Sequence, residues 1–434
     1  MDRPVATVVL LSIFLLFSPV KSTDELAGIS TLRRSPSLAG GLCAHLIEPS
    51  GYPCSEHTTQ TRDGYLLGLQ RMSSATENHV KLRGQRGHPV LLVHGLFMVY
   101  FCLLSQRTAK AVLDNDLCMT CGISRRDAWF MNSINQSLGF VLANHGFDVW
   151  VGNVRGTRWS HGHVSLSEKD KEFWDWSWEE LALYDLAEMI RYVNYVTNSK
   201  VFVVGHSQGT IMSLAAFTQP DIVKMVEAAA LLCPISYLEH VTAPFVLRIV
   251  HMHLDEVIVA LGIHQLNFKS DLGVRILDSI CDGHVECNYL LTSITGKNCC
   301  FNNSRVDFYL EYEPHSSSSK NLNHLFQMIR KGTFAKYDYG RWKNFRRYGE
   351  LRPPKFDLSH IPDSLPLWMG YGGSDSLADV MDVQRTLKEL QPRPDLLYLE
   401  NYGHIDFLLS VTANEDVYGN IIKFFRSWGK SSSS

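Results

Sequence analysis

The chain has 434 residues, of which 45% are hydrophobic and 20% charged, with a formal net charge of -3. That balance offers no basic footprint for nucleic acid, and 11% aromatics beside this apolar fraction exclude an intrinsically disordered chain. The length admits two or three ordinary domains, or one α/β domain carrying an insertion.

The first element is a leader. Residues 1–22, MDRPVATVVLLSIFLLFSPVKS, place Arg3 before an apolar run from Val5 to Phe17 that Pro19 ends. The run is shorter than the ~20 residues that cross a bilayer, so it reads as a cleaved signal peptide rather than an anchor. No later stretch reaches transmembrane length without charges, so no stable transmembrane anchor is expected. The mature chain is expected in the secretory pathway, secreted or in a vacuolar or lysosomal lumen.

An oxidising lumen changes the meaning of the ten cysteines. Cys118 and Cys121, with Cys299 and Cys300, would suggest zinc in a cytosol, but their spacing matches no finger or ribbon. Disulfides are expected instead, with Cys43–Cys54 and Cys281–Cys287 as local loops. Cys233 lies in the apolar run AAALLCPIS and reads as a buried free thiol. The sequons at Asn135 and Asn302 are glycosylation candidates.

Short apolar runs then alternate with helix-period segments. Strands are expected at His88 to His94, Phe147 to Val154, Val201 to Val204, Ala228 to Pro234, Leu365 to Gly370 and Leu396 to Leu399. From Ser177 to Val196 a broad apolar stripe predicts a helix. This alternation predicts an α/β protein with a mostly parallel sheet covered on both faces. Between about His240 and Pro354 the alternation stops and the pattern turns helical and irregular, as an inserted subdomain would. The expected division is a leader over 1–22, a core over 23–239 and 355–430, a helical cap over 240–354, and a disordered tail over 431–434.

One motif carries chemistry. Directly after VFVV stands Gly205-His206-Ser207-Gln208-Gly209, followed by the helix-like TIMSLAAF. G-x-S-x-G between a strand and a helix is the nucleophile elbow, whose sharp turn needs small residues two before and two after the serine. Ser207 is therefore the expected nucleophile. Nine histidines follow it; His404, in a turn after the last strand, is the expected base. Asp375, after LPLWMGYGG, is the expected acid, with Asp379 and Asp406 as rivals. Asp379 reads as a helix-start residue, and Asp406 lies too near His404 to reach its ring. The oxyanion donors are expected to be the backbone N–H groups of Gln208 and of Leu96, the latter after the turn His94-Gly95.

The blocks GYPCSEHTTQTRDGYLLGLQR, PVLLVHGL, LANHGFDVWVGNVRGTRWS, EFWDWSWEELALYDL, VFVVGHSQGT, SDSLADVMDV and YGHIDF together resemble the acid lipase family of α/β-hydrolases. That family includes gastric and lysosomal acid lipases and plant triacylglycerol lipases; the cysteine-bearing stretch Cys102–Cys121 resembles the plant branch. The resemblance spans about residues 50 to 407. It implies an α/β-hydrolase fold and a triacylglycerol lipase or related carboxylic ester hydrolase acting on neutral lipid at an interface or droplet. It also implies Ser207, Asp375 and His404 as triad, Leu96 and Gln208 as oxyanion donors, and the region 240–354 as a cap with a lid. No cofactor or metal is implied. A small-ester esterase or acyltransferase on the same scaffold, and an inactive lipid-binding relative, are the alternatives.

The remaining features have plainer readings. The cluster FWDWSW (173–178) reads as packing, Arg155 as an ion-pair anchor, and His251, His253 and Asp255 as unrelated neighbours. The stretch RWKNFRR (341–347) reads as a solvated helix face, with contact to an anionic lipid surface as the alternative.

Overall fold

The computed structural model describes residues 41–73, 87–96, 128–266, 292–302 and 316–429. The leader, the tail, Cys102, Cys118, Cys121, Cys281 and Cys287 lie outside the described residues.

The strands are β1 (Cys54–Gln60), β2 (Tyr65–Met72), β3 (Pro89–Val93), β4 (Asp148–Gly152), β5 (Gly162–His163), β6 (Val201–His206), β7 (Val226–Leu232), β8 (Gln265–Leu266), β9 (Ser317–Ser318), β10 (Leu367–Gly372) and β11 (Asp395–Leu399). The main sheet runs β1-β2-β4-β3-β6-β7-β10-β11, with β5 paired to β2. From β4 to β11 every pairing is parallel, while β1, β2 and β5 pair antiparallel at one edge. All six strands expected from the sequence are present, with ends displaced by up to a few residues. The antiparallel edge and the small β8–β9 sheet are additions that the apolar pattern does not predict.

Each face of the sheet has its own helices, because strand residues alternate sides. Phe202 of β6 stacks on Phe425 at 4.4 Å, bringing in the C-terminal helix Gly419–Trp428. Trp150 and Gly152 of β4 face the other way, onto Tyr192 and Met189. Those two belong to the helix expected from Ser177, which runs as an α turn Trp178–Glu180, a π stretch Leu181–Leu186 and an α segment Ala187–Thr197. Ser177 caps it in a capping box with Glu180.

In chain order the main helices are α1 (Leu138–Asn144), α2 (the composite 178–197), α3 (Gln208–Phe217), α4 (Pro244–His251), α5 (Leu254–Ala260), α6 (Ser319–Lys331), α7 (Arg341–Tyr348), α8 (Val380–Glu389) and α9 (Gly419–Trp428). Four of them, α4 to α7, fall in the irregular region between β7 and β10. The aromatic cluster before α2 meets the core: Phe173, Trp174, Trp176 and Trp178 are all buried, as packing residues. Trp178 stacks on His324 of α6 at 4.4 Å and on Phe334 at 5.5 Å, which holds α6 against the start of α2.

Arg155 is buried and anchors the loop after β4. Its guanidinium meets Asp185 at 2.6 Å and Asp63 at 2.5 Å, and lies over the Tyr65 ring at 3.8 Å. A buried cation is tolerated only with such pairing. Asp255 pairs with Arg330 at 2.7 Å, whereas His253 pairs with Glu256, so the His251, His253 and Asp255 set is dispersed. Cys43 and Cys54 form the expected disulfide, Cys299 and Cys300 form one between neighbours, and Cys233 is free and buried. Asn135 and Asn302 are exposed, as glycan acceptors must be.

Candidate active site

The strand β6 delivers the chain to Ser207, and α3 leads it away. Ser207 adopts φ 56 and ψ -121, a conformation that L-residues seldom take and that a nucleophile elbow imposes. The close approach explains the glycines. A Cβ on Gly209 would collide with the Val93 carbonyl oxygen at the end of β3, and one on Gly205 would lie 2.9 Å from the Gly209 oxygen. Ser207 is thereby held at the carboxyl edge of the sheet, at the start of a helix whose first N–H groups have no intrahelical partner.

Three side chains expected from distant parts of the sequence meet here. The Ser207 hydroxyl donates to His404 Nε2 at 2.8 Å. His404 Nδ1 donates to Asp375 Oδ2 at 2.8 Å. Asp375 follows β10, and its Oδ1 accepts from the backbone N–H of Leu377 at 2.8 Å and of Ala378 at 2.9 Å. Burial raises the Asp375 pKa, but the charge and hydrogen bond of His404 and the two backbone donors outweigh it. The carboxyl lies below its usual range. The rivals are engaged elsewhere: Asp379 caps α8 by accepting from Met381 N, and Asp406 accepts from Gly403, Cys299 and Cys300 N–H.

Two neighbouring turns lie where the oxyanion donors are expected. Gln208 is the first residue of α3, with its side chain held by Asn321 of α6 at 3.0 Å. A Cβ on Gly95 would lie 3.0 Å from the Ser207 Cβ, so the turn after β3 abuts Ser207 and Leu96 follows directly. Among the described residues Cys233, Asp375 and His404 have metal-ligand spacing, but the latter two are already bonded to each other.

Sequence reasoning missed the residues that hold the His404 turn. His206 Nε2 donates to the His404 carbonyl at 2.9 Å, and the Cys233 thiol donates to the same oxygen at 3.3 Å. His404 N donates to Thr295 O at 3.1 Å, and Ile405 N to Asn298 Oδ1 at 3.3 Å. Asp406 ties the turn to Cys299 and Cys300; burial lifts its pKa despite three donors. The elbow's own spelling placed His206 nearby; Cys233 and Asp406 were noticed for other reasons, and nothing in the sequence marked them, Thr295 or Asn298 as holding this turn.

Two buried histidines link the fold to pH. Burial, with the charge of His404, pushes His206 down to about 3, and burial pushes His324 down to about 3. His324 is fixed neutral between Ser177 Oγ and the Ala335 carbonyl, both at 3.0 Å. Its unfolded pKa is near 6.5, so the unfolded chain binds the extra proton in the window between the two values. The penalty is absent above about pH 6.5 and grows as pH falls toward 3. In urea unfolding, wild type should therefore lose more stability across that window than a His324→Asn variant. Equal losses would refute the buried neutral histidine.

Comparison with known proteins adds to this geometry. Residues 43–102 match a family described as a partial alpha/beta-hydrolase lipase region, and residues 88–255 one described as the alpha/beta hydrolase fold. The chain is 60% identical over 408 residues to triacylglycerol lipase 1 of Arabidopsis thaliana, covering 93% of this chain and 96% of that protein. It is 36% identical over 426 residues to triacylglycerol lipase 2 of the same plant, covering 96% of each. It is 32% identical over 394 residues to the gastric triacylglycerol lipase of Mus musculus, covering 87% of this chain and 90% of that protein. Among solved structures, a soluble variant of monoglyceride lipase from Saccharomyces cerevisiae shares the fold with a TM-score of 0.53 at 12% identity, covering 86% of this chain and 94% of that one.

Proposed function

The chain belongs to the acid lipase family of α/β-hydrolases and is a lipase-type ester hydrolase, and from that premise we propose that it cleaves fatty-acyl esters of triacylglycerols through an acyl-enzyme on Ser207. The observation that carries this reading is the unbroken relay from Ser207 through His404 to Asp375, 2.8 Å at each step. His404 Nε2 takes the hydroxyl proton as Ser207 Oγ attacks the ester carbonyl, and Asp375 holds the ring in the required tautomer and balances its charge. The oxyanion is received by the N–H groups of Gln208 and Leu96. His404 then protonates the departing glyceride oxygen, and water repeats the sequence to release the fatty acid.

The substrate class is supported by relatives named triacylglycerol lipases at 60% and 36% identity. We take residues 240–354 as a cap over the site, since long acyl chains need an apolar surface that is costly to leave in water. Among the described residues no helix is long and apolar enough to cross a membrane. The Cys43–Cys54 disulfide and the gastric relative fit a secretory-pathway protein; extracellular release or a vacuolar or lysosomal lumen is the proposed destination.

The test is substrate form. Turnover of a long-chain triacylglycerol emulsion should exceed that of a soluble short-chain ester, with fatty acid as the product. Turnover confined to the soluble ester would point to an esterase, and transfer to an added alcohol in preference to water would point to an acyltransferase.

A further inference from the structure

Helix α7 stands out from the rest of the surface. Trp342 is 81% exposed, Phe345 57% and, just beyond the helix, Leu351 43%. Between residues 341 and 355 the chain places Arg341, Lys343, Arg346, Arg347, Arg352 and Lys355 against one acid, Glu350. Among the described residues, Arg341, Lys343 and Arg346 form no ion pair, while Arg347 lies 3.9 Å from Glu180. The helix is anchored from its inner side. Asn344 is buried and bonds Asp338 at 2.7 Å and the Tyr339 N–H at 2.9 Å, and the Tyr348 hydroxyl donates to the Tyr337 carbonyl. At about 100° per residue, the pole opposite Asn344 and Tyr348 falls on Arg346, with Trp342 and Lys343 to either side of it and Phe345 further round beyond Trp342, while Arg341 is exposed at the first position of the helix.

The helix also rises from the edge of the sheet that holds the nucleophile. The composite α2 ends at Thr197 just before β6 begins at Val201, and returns antiparallel to it. The start of α2 therefore lies near the carboxyl end of β6, where Ser207 sits. The segment leading to α7 is fastened there: Tyr337 N donates to Glu179 at 3.1 Å, and Lys336 meets the same carboxylate at 3.3 Å.

We propose that α7 docks the protein onto an anionic lipid surface, with Trp342 and Phe345 entering the headgroup boundary and Arg341, Lys343 and Arg346 meeting lipid phosphates. Charge complementarity selects this occupant. The whole chain carries a net -3, so its general field repels such a surface and only a local cluster of unpaired cations would attract it. An aromatic ring with a polar edge prefers the boundary to either bulk phase. The proposal deepens the lipid-hydrolase reading and rests on it, since the same surface would present the ester to Ser207.

The test uses the full chain and sedimentation with vesicles of phosphatidylcholine, with or without phosphatidylglycerol. Wild type should partition onto the phosphatidylglycerol vesicles, only weakly onto pure phosphatidylcholine, and be released by salt. Each cation at such a surface is worth roughly a fivefold change, so R341Q/K343Q/R346Q together should lower partition by about a hundredfold. Trp342→Ala should weaken binding that salt has not already removed. Hydrolysis of a soluble short-chain ester should be unchanged in both variants. Equal partition of wild type and the triple variant, or equal binding to the two vesicle types, would overturn the proposal. So would self-association that the triple variant abolishes while vesicle binding persists. A wild type that binds phosphatidylglycerol vesicles as described but hydrolyses no ester would refute the hydrolase reading and support the docking surface.

Discussion

Replacing Ser207 with alanine should lower kcat on any ester by about 10⁶-fold, while the folded structure and its unfolding transition stay as they are. Alanine retains the Cβ, so the turn between β6 and α3 keeps its shape at φ 56. What it lacks is the oxygen that His404 Nε2 contacts at 2.8 Å. The donors expected at Gln208 and Leu96 would remain, and they alone leave a residual rate above that in water. Kinetics on a purified variant, with peptide mapping of a phosphonate-labelled wild type, provide the check. Activity within about tenfold of wild type, or an adduct on another residue, would end the assignment of Ser207 as nucleophile.

Asp375→Asn should cost about 10⁴-fold in kcat with little change in structure, and the reason lies in the backbone around it. Leu377 and Ala378 both donate N–H groups to Oδ1. An asparagine must keep its carbonyl oxygen there and turn its NH₂ toward His404 Nδ1. That nitrogen then becomes an acceptor and Nε2 carries the proton, so the ring points a donor at Ser207 and cannot take its hydrogen. Asp379→Asn should have little effect, because asparagine caps a helix about as well as aspartate. The low pKa of Asp375 also has a sign. Its stabilising contribution is present above the unfolded value near 3.9 and is lost only as pH falls through the lower folded value. An acid limb of kcat/KM near neutrality therefore belongs to another group. If Asp375→Asn kept near-wild-type turnover while Asp379→Asn or Asp406→Asn lost it, the acid would have to be reassigned.

The parallel strands could be read from the sequence because β3, β4, β6 and β7 are nearly continuous apolar runs, and a run buried on both faces has that composition. The antiparallel edge could not. In β1, CSEHTTQ, only Thr59 is buried, so the strand is held by its pairing with β2 rather than by an apolar pattern. The β8–β9 pair has two residues a side, too short for any periodicity. The elbow could be read because its constraint is local: a sharp turn spells out its glycines within five residues.

What the sequence by itself determined is the α/β scaffold and a serine, an aspartate and a histidine in the chain order that a nucleophile elbow calls for. The tertiary structure alone decided how the His404 turn is held. His206 reaches the His404 carbonyl across 198 residues, Cys233 reaches it across 171, and Cys299 reaches Asp406 across 107. Periodicity and turn spelling act over a few residues, because sterics and local hydrogen bonds do. A carbonyl cradled by two strand ends is settled by which segments the sheet brings together, and no local pattern records it.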